Sequence, residues 1–128
     1  MKLLSVLLLC AVAIGCGYGS KMTTPPTPGA TPVITQLNPT GIVAGSQNSF
    51  QLEVDGTSFA SNAVINFGST AETTTSPSAG KLQATIPSTA IMTAGTVAVT
   101  VTNPGTPGGI YGGGTTAVTS TAMNFTVQ

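Results

Sequence analysis

The chain has 128 residues, 41% of them hydrophobic, with three basic and three acidic side chains and no histidine, tryptophan or arginine. A net charge of zero with only three lysines argues against nucleic acid, whose binding is dominated by phosphate neutralisation. Without histidine or arginine there is no histidine-based catalytic triad, no histidine metal site and no arginine clamp for phosphate.

Length fits one domain. Sixteen glycines and nine prolines, with threonine and serine supplying most of the polarity, deplete helix formers and favour strands joined by turns. The expected class is all-β.

Residues 1–15 stand apart from that fold. Met1-Lys2 supplies one positive charge and Leu3 to Ile14 is apolar except for Ser5, the layout of a secretory signal peptide. Spanning a bilayer takes about 20 residues, so this shorter run predicts export rather than a retained transmembrane helix. Ala13-Ile14-Gly15-Cys16 resembles the lipobox of bacterial lipoproteins, in which small residues precede a cysteine that is acylated and becomes the mature N-terminus; leucine is usual where this chain has Ala13. The resemblance implies lipidation of Cys16 and a lipid-anchored protein of the bacterial cell envelope. Ala11-Val12-Ala13 is a competing small-x-small site, whose cleavage would release a soluble periplasmic or secreted chain beginning at Ile14. Cys10 falls in the discarded segment, so Cys16 is the lone mature cysteine and acylation accounts for it.

Residues 16–32 read as a tether. Prolines at 25, 26, 28 and 32 and little to bury predict an extended, partly stiff spacer. Lys21 alone is too little charge for a polybasic lipid-binding patch.

Residues 33–128 form a series of short alternating runs. Val33 to Leu37 is a first strand, stopped by Asn38-Pro39-Thr40-Gly41. Phe50, Leu52 and Val54 alternate with Gln51, Glu53 and Asp55, and Asp55-Gly56 is expected to end that strand. Ala63, Ile65 and Phe67 share a parity; so do Leu82, Ala84 and Ile86, which Pro87 stops. Val97, Val99 and Val101 mark the clearest strand, closed by Asn103-Pro104-Gly105, and Met123, Phe125 and Val127 mark the last. Thr70 to Thr75 adds an expected edge strand whose one charge, Glu72, defends it poorly against pairing with another chain. Six or seven such strands predict an immunoglobulin-like two-sheet β-sandwich.

The pattern Ile34, Leu37, Pro39, Gly41, Gly45, then Phe50-x-Leu52-x-Val54-x-Gly56-x-x-Phe59, resembles the opening of IPT/TIG domains. The likeness continues through Val64 to Gly68, Leu82 to Pro87, Gly95 to Gly105 and Phe125 to Val127. It implies an immunoglobulin-like fold serving as a spacer, dimerisation surface or binding module, with no catalytic residues to carry over. Ser58 departs from the second glycine common in the family, and the connection from Asn103 to about Ala117 is long.

Candidate chemistry is sparse. Glu53 and Asp55 share a strand face and lie close enough, in principle, for glycoside hydrolysis, but a solvated outer face accounts for them; with Thr57 and Ser58 they offer too few oxygens for calcium. Lys81, the only lysine after the tether, lies in Pro77 to Lys81, which reads as a turn. Asn124-Phe125-Thr126 fits a glycosylation sequon inside a strand, and Gly112-Gly113-Gly114 lacks the residues of a phosphate cradle. No catalytic residue, metal or cofactor is expected. The loop 103–114 carries Ile110 and Tyr111, which either contact a ligand or partner from one end of the sandwich or fold back to cap the core. Two functions follow: a structural spacer or protein-interaction lipoprotein at the cell envelope, or a carbohydrate-binding surface lipoprotein using the 103–114 loop.

Overall fold

The computed structural model describes residues 24–128, so residues 1–15 and Cys16 lie outside the described part. In chain order the strands are β1 (Thr27–Pro28), β2 (Val33–Asn38), β3 (Gly41–Ile42), β4 (Phe50–Thr57), β5 (Val64–Phe67), β6 (Thr70–Ala71), β7 (Thr74–Ser78), β8 (Lys81–Ile86), β9 (Gly95–Asn103), β10 (Thr115–Thr116), β11 (Val118–Thr119) and β12 (Met123–Val127). One 3-10 turn, Ser88–Ile91, precedes β9.

Two sheets face each other across an apolar core. One runs β2-β4-β8-β7 and is antiparallel throughout; the other runs β3-β12-β9-β5-β6, with β11 also on β9. The fold is an all-β sandwich, as the alternation predicts. Leu52 and Val54 of β4, Leu82, Ala84 and Ile86 of β8, and Val99 and Val101 of β9 point inward, because side chains two apart share a face. Phe125 is fully buried and stacks on Phe50 at 5.4 Å between centroids, with Phe67 edge-on to it at 5.3 Å. This trio joins the two sheets.

Several expectations change at the strand ends. Thr70 to Thr75 is not one edge strand: β6 pairs with β5 in one sheet and β7 pairs with β8 in the other. Thr74 marks the crossing, its hydroxyl donating to the Glu72 carbonyl and accepting from the Ile65 amide, both at 2.9 Å. Asp55-Gly56 does not end β4, which continues to Thr57. Gly56 is needed there for space, since a Cβ would collide with the Val33 carbonyl and the Phe59 ring. A bulge at Thr35 shifts the β2 register, so Ile34 and Leu37, three apart, both reach the core.

Candidate functional site

Residues 24–32, expected to be a free spacer, are held against the sandwich. Thr24 bridges to Gly112, and β1 pairs in parallel with β10. The Thr24 amide donates to the Tyr111 carbonyl at 3.2 Å, the Gly113 amide to the Thr24 carbonyl at 2.8 Å and the Thr27 amide to the Gly114 carbonyl at 3.2 Å. Pro32 is fully buried.

Asn103 fastens this arrangement. It is 5% exposed and uses both ends of its amide. Its Nδ2 donates to the Ala30 carbonyl at 2.8 Å and the Ser58 carbonyl at 2.7 Å, while its Oδ1 accepts from the Ala60 amide at 2.9 Å. One side chain thus joins the end of β9, the end of the tether and the loop after β4. The sequence identifies Asn103 only as a turn residue, because nothing local distinguishes a side chain that bonds 73 positions back. Ser58 is the single non-glycine residue with positive φ among the described residues, at 60°. An open cleft of about 370 Å³ lies beside this junction, lined by Ala30, Phe59, Asn103, Pro104 and Thr115 among others.

Beyond the cleft the 103–114 loop ends in a tight hairpin. Gly109 and Gly112 exchange both backbone hydrogen bonds, at 3.0 and 2.9 Å, leaving Ile110 and Tyr111 as the two tip residues. They are 86% and 73% exposed, so they do not fold back to cap the core. Gly112, Gly113 and Gly114 all have φ near +85°, a left-handed run that only glycine adopts readily. Their role is to turn the chain from the hairpin into β10. No charged residue occurs between Pro104 and Ser120.

The carboxylates are elsewhere. Glu53 and Asp55 share the outer face of β4, as expected, but Lys81 opens β8 rather than standing in a turn and bridges both, at 2.7 Å to Glu53 and 3.7 Å to Asp55. Gln83 adds a hydrogen bond to Glu53 at 2.9 Å. These bonds, Lys81 first, hold the Glu53 carboxyl below its ordinary pKa, and Glu53 in turn raises that of Lys81. A carboxylate held ionised is unsuited to be the acid of a hydrolytic pair. Asn124 is exposed on β12.

Among the described residues no three Cys, Asp or Glu cluster to hold a metal, and no helix is long and apolar enough to cross a membrane. No known protein family matches the chain, and comparison with curated proteins finds no matching relative.

Proposed function

We propose that the chain is an exported lipoprotein, anchored at the bacterial cell envelope through Cys16, whose folded part is a non-catalytic module of the IPT/TIG kind serving as a structural spacer or protein-interaction domain. The observation that carries this reading is the export-type segment ending in Ala13-Ile14-Gly15-Cys16, ahead of an all-β sandwich. Asn103 is engaged by three backbone partners, and Lys81 bridges Glu53 and Asp55 on an outer face. The left-handed Ser58 at the family's glycine position supports the IPT/TIG assignment.

The test is the intact mass of the protein from native membranes beside a Cys16→Ser variant. The expected result is a chain beginning at Cys16 with added acyl mass that the variant lacks. An unmodified chain beginning at Ile14 overturns the reading. The exposed Tyr111 favours a second role, carbohydrate binding, because an open aromatic face can stack on a sugar ring. Affinity electrophoresis through polysaccharide gels tests it: retardation that Tyr111→Ala abolishes supports it, and unretarded migration across a broad glycan panel rejects it.

A further inference from the structure

The described chain begins hydrogen-bonded to its most exposed apolar tip. Thr24 is bound to the Tyr111 carbonyl and the Gly113 amide, and Cys16 lies eight residues before Thr24. Eight residues span at most about 28 Å when fully extended. A membrane-anchored Cys16 therefore holds Thr24, and the Ile110–Tyr111 hairpin bonded to it, within reach of the bilayer surface.

We propose that Ile110 and Tyr111 seat in the headgroup region of that membrane, giving the protein a second point of contact and setting the sandwich upright on its 103–116 end. The inference rests on the lipoprotein reading, which it deepens. Three observations favour a lipid surface over other occupants. An aliphatic and an aromatic side chain project side by side, and tyrosine is favoured at membrane interfaces because its ring is apolar and its hydroxyl polar. Glycines flank them in sequence at 109 and 112, and the neighbouring Thr24 hydroxyl is turned to the Tyr111 carbonyl at 3.4 Å. The tip is also free of charge from Pro104 to Ser120, so no ion must be desolvated as it enters. Among the described residues the other exposed large apolar side chains are Val33, at the start of β2, and Val43 and Met92, which follow β3 and the 3-10 turn at the end of the sandwich away from Asn103.

The chain contains no tryptophan, so a single introduced one reports its own surroundings. Ile110→Trp and, at the opposite end, Gln47→Trp are placed in the full acylated protein. Each is reconstituted in phosphatidylethanolamine–phosphatidylglycerol vesicles containing lipids brominated near the headgroup end of the acyl chain. The expected result is blue-shifted, bromine-quenched emission from position 110 and water-like, unquenched emission from position 47. Water-like emission from 110 in a protein whose acyl mass is verified overturns the membrane contact and leaves the lipoprotein reading standing. Equal quenching at both positions overturns the upright orientation, and a shift on polysaccharide but not on vesicles assigns the tip to glycan instead. Absence of acyl mass on the native protein overturns both readings together.

Discussion

The Asn103 side-chain amide donates to the Ala30 carbonyl at 2.8 Å, joining two residues 73 positions apart at the end of the sandwich. Because the same side chain also serves Ser58 and Ala60, its removal orphans three backbone groups at once. Asn103→Ala is expected to cost about 2–4 kcal/mol in urea unfolding, given about 1–3 kcal/mol for each polar group left buried and unsatisfied and partial access of water here. Asn103→Asp should do no better, since a carboxylate cannot donate to the Ala30 and Ser58 carbonyls.

The aromatic trio should dominate core stability. Phe125→Ala removes a fully buried ring packed on Phe50 and Phe67 and is expected to cost about 3–5 kcal/mol. Tyr111→Ala, at a position 73% exposed, should change stability by less than about 0.5 kcal/mol. Thermal melts of the two variants check the contrast.

Gly114 controls the docking of the tether. At φ +83°, a Cβ there would meet the Thr106 carbonyl and approach the Gly108 nitrogen to 2.6 Å. Gly114→Val should therefore break the β1–β10 pairing while leaving the core folded. Hydrogen exchange reads this directly: the Thr27 and Gly29 amides, which donate to Gly114 and Thr116, should exchange faster, and the Val99 and Val101 amides at their usual rate.

The Lys81–Glu53 pair makes a defined pH signature. Lys81 and Gln83 lower the Glu53 pKa from its ordinary 4.5, so the carboxylate's contribution is complete above that value and is lost as pH falls through the lowered one. Lys81 is raised from 10.5, chiefly by Glu53, so its contribution holds below that value and is lost as pH rises through the raised one. The melting-temperature difference between wild type and Glu53→Gln should be constant near neutrality and shrink in acid below pH 4.5. A difference unchanged down to full protonation would contradict the pairing.

Ser58 holds φ at 60°, where a side chain costs roughly 1–2 kcal/mol. Ser58→Gly relieves that strain but gives the unfolded chain about 0.4–1 kcal/mol more entropy to lose. The expected net gain is up to about 1 kcal/mol, measured as a raised urea midpoint.

The sandwich was legible in the sequence because each inward strand carries its own period-two record. Leu52 and Val54, Ile65 and Phe67, and Val99 and Val101 all point where their parity predicts. Relationships that depend on distant partners were not legible. Asp55-Gly56 has the composition of a turn, yet Gly56 serves close packing against Val33. The segment 70–75 contains no local sign of a change of sheet, which Thr74 makes by bonding to Ile65 and Glu72. Lys81 looks like a turn lysine until β8 is placed beside β4. Residues 24–32 look unstructured because proline-rich composition predicts extension without saying what the extended chain lies against. Ile110 and Tyr111 could be singled out by composition, but their projection from a two-residue hairpin required the paired glycines at 109 and 112.

Strand β12 lies between β3 and β9, and Phe125 completes the ring cluster begun by Phe50. A polypeptide made from its N-terminus therefore lacks an inner strand of one sheet until residues 123–127 arrive. Before then Gly41–Ile42 and one side of residues 95–99 have no partner strand, and the rings at 50 and 67 lack the one they close around. The sheet and the ring cluster thus share one closing element, residues 123–127.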